Sequence, residues 1–353
     1  MFEVYYAESN QLNAFFLWLK KSYKVFAPVV KDAAAPELDY YYQKSGEADS
    51  LIYNSFRVVE PLKSFFTQIH EKVADYFSPQ KNVTDVVDKV IIFGVKNCDL
   101  AGHKIQDFVF LEGVEVDSLY RLRRQNAILI SSDCTDFKKV CHCLAWDILP
   151  HPQEGFDLNI SPLNDGFLVE VGSKKGEELI LQHKEYFVLA KESQKSARKV
   201  KREQLIDRLR RHILPQMLVS KDNVQKLMRD GFALDTWKEF MQTCVECGGC
   251  NLICDTCHCF LLGDKKDDAG NKKVRVWDSC LYANYARVAG GANPLKLRAQ
   301  RLRNRFMKKF DFFVDNLGMP ACCGCGRCIE VCPGKIDIRE VLKDVAKKLS
   351  AKV

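Results

Sequence analysis

The fold is decided by the run Cys244-Val245-Glu246-Cys247-Gly248-Gly249-Cys250-Asn251-Leu252-Ile253-Cys254. The same cysteine spacing returns in Cys322-x-x-Cys325-x-x-Cys328-x-x-x-Cys332-Pro333. Cysteines at steps of three residues place three thiolates on one tight loop, which wraps three corners of a cube. The fourth cysteine of each run starts a helix that carries it to a neighbouring cube. A specific spacing that occurs twice predicts two cubane [4Fe–4S] clusters.

Bacterial ferredoxins share this spacing, and in them the last cysteine of each run ligates the cluster of the other run. On that rule the first predicted cluster is held by Cys244, Cys247, Cys250 and Cys332. The second is held by Cys322, Cys325, Cys328 and Cys254. Cys323 adds a thiol directly beside Cys322, and the spacing favours Cys322 as the ligand.

Structural zinc and disulfides are the alternatives for these cysteines. Structural zinc prefers two Cys-x-x-Cys pairs separated by a dozen or more residues, not three consecutive cysteines at steps of three. Disulfides suit small secreted domains, and this chain is neither small nor marked for secretion. The spacing therefore favours iron–sulfur clusters over both.

Length and composition place the protein among cytoplasmic, multi-domain proteins. The chain has 353 residues, a length that is enough for two or three domains, and 16 of the residues are cysteines. Residues 1–10 lack the basic start and apolar run of a secretory signal. The longest apolar run, near residues 90–95, is too short to cross a bilayer. We therefore expect a cytoplasmic protein without membrane insertion, whose thiols stay reduced and available to metal.

The formal net charge of +7 comes mainly from two basic segments, residues 191–211 and 296–309. Nucleic-acid binding would require base-stacking aromatic residues beside such segments, and few accompany them. We expect no nucleic-acid partner. Solvated helix faces, or contact with an acidic partner subunit, explain the charge better.

The first part of the chain predicts an α/β arrangement. Apolar residues recur at helical spacing over residues 12–23 and 62–77, and residues 24–30 are extended in pattern. Residues 90–95 form a continuous apolar run, as in a buried central strand, and residues 127–131 form a second. Asp99 is placed to cap a helix that runs to about Phe110. A β-hairpin is predicted over residues 156–180 around Asn164-Asp165-Gly166.

The predicted fold class combines this α/β domain with a helical iron–sulfur domain. Residues 1–190 are expected to carry a mostly parallel or mixed sheet. Residues 191–233 are expected to form a charged helical connector. Residues 234–345 then form a bacterial-ferredoxin-like domain, with a long insertion over residues 255–321 between its two cysteine motifs.

Four further cysteines suggest a third metal site in the α/β domain: Cys98, Cys134, Cys141 and Cys143. Cys98 and Cys134 follow the two predicted strands, at the sheet edge where open α/β sheets present their ligands. Four thiolates suffice for one cube, so we expect a [4Fe–4S] cluster rather than zinc. Ordinary buried thiols are the alternative. His142 is a neighbour, a substitute ligand or a plain loop histidine, of which the last is favoured.

The insertion carries three more cysteines, Cys257, Cys259 and Cys280. It also contains an extended piece at residues 273–277 and a basic helix at residues 295–310. The three thiols could cap a further cluster, replace a ligand, or lie buried near the clusters. The spacing does not choose among these, so the chain is expected to bind at least two clusters, with a third favoured.

The sequence has no glycine-rich phosphate loop. Gly248-Gly249 and Gly290-Gly291 lack the P-loop and dinucleotide-binding frames. Any nicotinamide or flavin site in the associated reaction is therefore expected on another chain.

Several phrases carry a family resemblance: Phe93-Gly94-Val95-x-x-Cys98-Asp99, Asp133-Cys134, Cys141-x-Cys143, Gly155-Phe156-Asp157-Leu158, Val171-Gly172, Cys254-x-Thr256-Cys257-x-Cys259, Trp277-Asp278-Ser279-Cys280 and Gly324-Cys325-Gly326-Arg327-Cys328. With these the chain resembles the [4Fe–4S] dicluster beta subunits of cytosolic sulfhydrogenases, which are NiFe hydrogenases. It is also similar to an iron–sulfur component of anaerobic sulfite reductase. The match covers roughly residues 90–337, and residues 1–89 only loosely. Asp255 departs from the family pattern, which has proline there.

The resemblance implies an electron-transfer subunit, seated between a flavoprotein that exchanges hydride with NAD(P)H and a catalytic or further iron–sulfur subunit. Two other functions stay open. A cluster with only three cysteine ligands would make the chain itself an enzyme, and zinc would make it a scaffold or nucleic-acid module. For the electron-transfer function, Arg327 and Lys335 are expected to favour the reduced state of the nearest cluster electrostatically.

Overall fold

The computed structural model describes residues 3–31, 39–46, 50–76, 87–216, 219–267 and 270–351. Its strands are β1 Val4–Ala7, β2 Lys24–Val30, β3 Tyr40–Lys44, β4 His70–Asp75, β5 Val90–Val95, β6 Ala127–Ser132, β7 Leu158–Pro162, β8 Phe167–Val171, β9 Val188–Leu189, β10 Phe260–Asp267 and β11 Gly270–Trp277. Its α-helices are α1 Ser9–Ser22, α2 Asn97–Leu111, α3 Ser118–Asn126, α4 Lys174–Gln182, α5 Glu192–Ile213, α6 Lys221–Asp230, α7 Thr236–Phe240, α8 Gly249–Leu252, α9 Arg298–Met307, α10 Phe313–Leu317, α11 Arg327–Glu330 and α12 Ile338–Ser350.

The larger sheet is mixed and has eight strands in the order β3-β2-β5-β6-β7-β8-β1-β9. The pairs β2–β5, β5–β6 and β6–β7 are parallel, and the outer pairs are antiparallel. This confirms the prediction of an α/β layer with a mixed sheet. Parallel pairing at the centre aligns the carboxyl ends of β5 and β6 at one edge, which is where Cys98 and Cys134 follow.

The central strands are buried on both faces because helices cover both. Ile91 and Phe93 of β5 point into a core shared with α1 and α4. Ile92 and Val95 point the other way, into a core shared with α2 and α3. The period of two along a strand separates Ile91 and Phe93 from Ile92, and the register shift between Phe93 and Val95 places Val95 on the side of Ile92. An apolar run without alternation is the expected signature of such a strand.

Several predicted elements agree with the structure and three need correction. α1, β2, β5 and β6 confirm the predictions for residues 12–23, 24–30, 90–95 and 127–131. The hairpin is present as β7 and β8, but the end of the predicted segment forms α4 instead. α2 begins at Asn97, not after Asp99. Asp99 lies in the first turn, where its carboxylate accepts a hydrogen bond from the Lys96 amide at 3.3 Å.

The predicted helix over residues 62–77 is wrong. Only a 3₁₀ turn forms at Leu62–Phe65, and β4 follows it. The end of the predicted helix, Phe77, lies outside the described residues. β4 is extended because it pairs antiparallel with β11, which is almost 200 residues further along the chain. The apolar spacing of the segment contained no information about that distant partner.

The insertion supplies most of a second sheet, with strands in the order β10-β11-β4. The extended piece predicted at residues 273–277 is the end of β11. The predicted basic helix is α9, continued by one π-helical turn at Lys308–Phe312. The second sheet therefore joins the insertion to the first part of the chain.

One apolar core crosses the predicted domain boundaries. It contains Trp146 from the first predicted domain, Leu209 from the end of α5, Val224 of α6, and Phe306 and Val345 from the cysteine-rich part. Side chains from both sides of residues 190 and 233 share this core, so the core does not divide at the predicted boundaries. Those boundaries stay predictions. Among the described residues, no helix is both long and apolar enough to span a membrane.

Candidate iron–sulfur centres

The two cysteine runs adopt the same backbone conformation. Glu246 and Gly324, at matching positions, have left-handed φ angles of 57° and 64°. Gly248 and Gly326 match in the same way, with φ angles of 71° and 74°. Each run then enters a single helical turn, α8 or α11, and these two turns pack against each other. The runs are therefore a structural repeat, with two loops of one shape facing across a helix pair.

Backbone amides point at sulfur in both loops. The Glu246 amide donates to Cys244 Sγ at 3.4 Å, and the Ile336 amide donates to Cys332 Sγ at 3.4 Å. In the second loop, burial raises the pKa of Cys322 to about 11, opposed by the Gly324 amide, which donates to its sulfur. Amide donors of this kind stabilise negatively charged sulfur and tune the potential of a bound cluster.

One largely apolar pocket is lined by all four thiols of the first predicted cluster: Cys244, Cys247, Cys250 and Cys332. Cys332 comes from the second run, so the chain brings the fourth cysteine across to the opposite loop. Leu281, Leu302 and Phe306 close the pocket from the insertion side. A largely apolar pocket lined by these four thiols fits a [4Fe–4S] cluster.

The four thiols of the second predicted cluster also lie together. The Cys254 thiol is among the neighbours that raise the pKa of Cys322. Burial and the same Cys254 thiol also raise the pKa of Cys328. The pKa of Cys325 is lowered to about 6, first by a hydrogen bond from Cys323 and further by Arg327 and Arg57, against burial. Cys328 also lines the first pocket, so the two thiol sets are adjacent.

Asp255, the departure from the family pattern, anchors the second set to the rest of the chain. Its carboxylate accepts a hydrogen bond from the Lys63 amide at 3.0 Å and from Arg327 Nη1 at 2.9 Å. Arg327 also donates to Asp99 Oδ1 at 2.6 Å and to the Val58 carbonyl at 2.9 Å, and its side chain is fully buried. The arginine expected to favour the reduced state of the nearest cluster is therefore paired with two buried carboxylates.

The third set, Cys98, Cys134, Cys141 and Cys143, meets at the carboxyl edge of the sheet. Burial raises the pKa of Cys98 and of Cys134, and the Cys134 thiol contributes to the pKa of Cys98. Burial, followed by Cys141 and Cys134, raises that of Cys143. Each of the four thiols is therefore buried close to at least one other member of the set.

The loop that carries Cys141 and Cys143 lies directly on the second cysteine run. A Cβ at Gly324 would stand 2.5 Å from the Cys143 backbone, so glycine alone fits there. The His142 amide donates to the Gly324 carbonyl at 2.8 Å. The His142 ring is buried, its Nδ1 lies 2.9 Å from the Val140 carbonyl, and burial lowers its pKa to about 4.

The insertion cysteines lie near one another and near the first cysteine run. Cys257 and Cys280 both contact the Asn251 side chain, and after burial the Cys259 thiol helps to raise the pKa of Cys280. Cys257 lies beside Cys254, whose pKa it lowers by donating a hydrogen bond. Cys259 Sγ is 3.5 Å from the Tyr285 hydroxyl, and Cys280 Sγ accepts a hydrogen bond from Asn251 Nδ2 at 3.2 Å. Across the described residues, no three His, Cys, Asp or Glu side chains are close enough to share a single metal ion.

Buried cations around the thiols were missed by sequence reasoning. Arg305 Nε donates to Asn251 Oδ1 at 2.7 Å, and Lys309 Nζ donates to Cys254 Sγ at 3.4 Å. Lys96, buried beside Cys134, donates to Ser132 Oγ at 2.8 Å. The sequence contained one signal for the first two, since the segment 279–310 has eight basic residues and no acidic one. Which of them turn inward depends on tertiary contacts.

Comparison with known proteins gives two findings. Residues 243–336 match a family model described as a 4Fe-4S dicluster domain. Over 346 residues the chain is 31% identical to Sulfhydrogenase 2 subunit beta of Pyrococcus furiosus, in a match that covers 97% of this chain and 98% of that protein.

Proposed function

The chain belongs to the family of sulfhydrogenase beta subunits, and on that premise we propose that it is an iron–sulfur electron-transfer subunit of a multi-subunit oxidoreductase. It relays electrons between a flavoprotein of NAD(P)H type and a catalytic or further iron–sulfur subunit. The observation that carries this proposal is the repeated cysteine loop, whose first copy shares a largely apolar pocket with the last cysteine of the second copy.

The side chains assigned to this function bind and shield rather than react. A cluster bound by four thiolates has no open iron, so it passes single electrons. Amides at Glu246, Gly324 and Ile336 point at cysteine sulfur and stabilise its negative charge. Arg305 and Lys309, both buried, supply positive charge beside the thiols. These groups set the potential and exclude water.

The second thiol set adjoins both the third and the first, which supports a relay. The third set meets the second where Cys143 contacts Gly324. The second set meets the first through Cys328, which lines the first pocket. We assign Cys98, Cys134, Cys141 and Cys143 to a third cluster on this basis. The insertion cysteines stay unassigned.

The test is anaerobic purification followed by iron and acid-labile sulfide analysis of single Cys→Ser variants. Three clusters correspond to about twelve irons per chain, and Cys332→Ser or Cys134→Ser should each lose about four. Cys323→Ser is the matched control, since it is buried beside the same ligands, and should keep the full content. Native protein that contains zinc and no acid-labile sulfide would refute the proposal. Electron paramagnetic resonance spectra that change on addition of sulfite or hydrogen would point instead to a substrate-binding cluster.

A further inference from the structure

The first thiol set reaches the protein surface at one residue. Of the sixteen cysteines, all within the described ranges, Cys247 is the one with an exposed side chain. Val245, on the same loop, is 65% exposed, and Val331, which lies against Gly249, is 36% exposed. Two exposed apolar side chains therefore lie beside the exposed thiol at the end of the proposed relay.

Basic residues border this surface. Arg301 is buried, and its guanidinium donates to the carbonyls of Leu295 and Lys296, at 2.8 Å each. The same guanidinium is ion-paired with Glu246, so the segment around Lys296 is held against the first cysteine run. Arg298 donates to the Cys244 carbonyl at 2.8 Å, which places it at the same border.

The positive charge at this border is not neutralised within the described residues. Lys296, Arg298 and Lys335 are exposed, and none forms an ion pair in the parts of the chain that the structure covers. The acidic residue of the first run, Glu246, already forms an ion pair with Arg301. Lys335 follows Cys332 closely, and its amide donates to the Cys332 carbonyl at 3.1 Å. An apolar centre bordered by three exposed basic residues that lack ion pairs in the described part of the chain has the anatomy of a protein–protein contact.

We propose that the surface around Cys247 docks an acidic protein that carries its own one-electron centre. The inference rests on the proposed function, and it names the kind of partner with which the relay exchanges electrons. Cys244, Cys247, Cys250 and Cys332 would hold the accepting centre, which would gain the one electron that the reduced centre of the partner would lose. No bond forms or breaks. The basic rim steers the acidic partner, and the apolar centre excludes water from the contact.

The experiment uses the anaerobically purified holoprotein and a reduced plant-type [2Fe–2S] ferredoxin, an acidic protein, as the probe. Stopped-flow absorbance gives the second-order rate of electron transfer at increasing sodium chloride concentration. We expect the rate to fall steeply with salt, because screening weakens attraction between charged surfaces. The variant Lys296→Glu/Lys335→Glu should react on the order of tenfold more slowly at low salt and lose most of the salt dependence.

The matched control is Lys199→Glu/Arg210→Glu, which makes the same charge change on exposed positions of α5. It should keep the wild-type rate. Methyl viologen radical, a small cationic reductant that needs no docking surface, should reduce wild type and both double variants to the same final extent. This result shows that the centres are intact in the variants.

The outcomes separate the two proposals. If viologen reduces no centre in wild type, the proposed function fails and the docking surface fails with it. If viologen reduces the centres but the ferredoxin rate ignores salt, or both double variants behave alike, the docking surface alone is refuted. A wild-type protein that self-associates through this face, with a ferredoxin rate that falls as the dimer forms, also refutes it.

Discussion

At the scale of single residues, two different residue types adopt the same left-handed backbone conformation at matching positions of the two cysteine runs. Glu246 and Gly324 both take a left-handed φ, which costs a non-glycine residue about 1–2 kcal/mol. Glu246 lies near the surface, where its carboxylate pairs with Arg301. Gly324 has the Cys143 backbone against it, which leaves no room for a Cβ. At this pair of matching positions, glycine is therefore required only in the copy on which the third thiol set is packed.

This difference predicts the outcome of two alanine substitutions. Gly324→Ala should destabilise the protein by about 1–3 kcal/mol beyond the cost of its left-handed φ, because the new Cβ overlaps the Cys143 backbone. Gly318→Ala is the matched control, since Gly318 has a similar φ of 67° and open space around its Cβ position. The measurement is the midpoint temperature for loss of visible cluster absorbance under anaerobic conditions. Equal midpoints for the two variants would show that the Cys143 contact does not matter.

At the scale of elements, buried ion pairs hold the second sheet against the first part of the chain. Arg275 of β11 donates through Nε to Glu71 of β4 at 3.0 Å and is ion-paired with Asp117, the residue before α3. Arg123 of α3 also pairs with Glu71, at 2.8 Å. The side chains of Arg275 and Glu71 are 5% and 3% exposed, so neither charge has water as an alternative partner. This network fixes β4 as a strand of the second sheet.

Removal of the central arginine should therefore be costly. Arg275→Met leaves Glu71 and Asp117 short of a counter-charge, and we expect a loss of about 3–5 kcal/mol, as for other buried pairs broken on one side. Lys273→Met on the same strand breaks the more exposed pair with Asp264 and should cost much less. Thermal midpoints of the two variants compare them directly. A smaller effect for Arg275→Met than for Lys273→Met would contradict the assignment of the network.

At the scale of the whole molecule, the thiol sets hold together because one buried arginine joins distant segments. Arg327 precedes the ligand candidate Cys328 and contacts Asp99, Asp255 and the Val58 carbonyl. Arg57 makes a second connection, from its Nε to the Cys325 carbonyl at 2.8 Å. The cysteine-rich part is thus fixed to the sheet at the place where the second and third thiol sets meet.

This arrangement refines the expectation that Arg327 favours the reduced state of the nearest cluster. Arg327→Gln removes a positive charge and should lower the potential of that cluster, because reduction adds negative charge nearby. The loss of a buried counter-charge should also destabilise the fold by about 3–5 kcal/mol. In Arg327→Gln/Asp99→Asn both charges of the pair are gone, so the potential should return towards the wild-type value. Redox titration followed by electron paramagnetic resonance measures each potential, and an unchanged potential in the single variant would exclude the electrostatic effect.

Much of the candidate site could be predicted from the sequence. The spacing of the two runs gives the loop shape, since three thiols at steps of three residues are close whatever the rest of the chain does. The apolar runs of β5 and β6 predicted the two central strands, and the cysteines that follow these runs predicted the third thiol set. β4 could not be predicted, because its apolar spacing also suits a helix and its pairing partner lies in the insertion.

By itself, the sequence determined the local features of this protein: two copies of a thiol loop, the buried central strands, and the family to which the chain belongs. Only the tertiary structure decided which thiol sets are neighbours, that Asp99 and Asp255 enclose Arg327, and that Cys247 is the thiol left at the surface. The reason is physical. The spacing of residue types along the chain predicts interactions between residues a few positions apart. Contacts such as Arg327 with Val58, however, join segments more than 260 residues apart. Those contacts depend on the fold of everything between them.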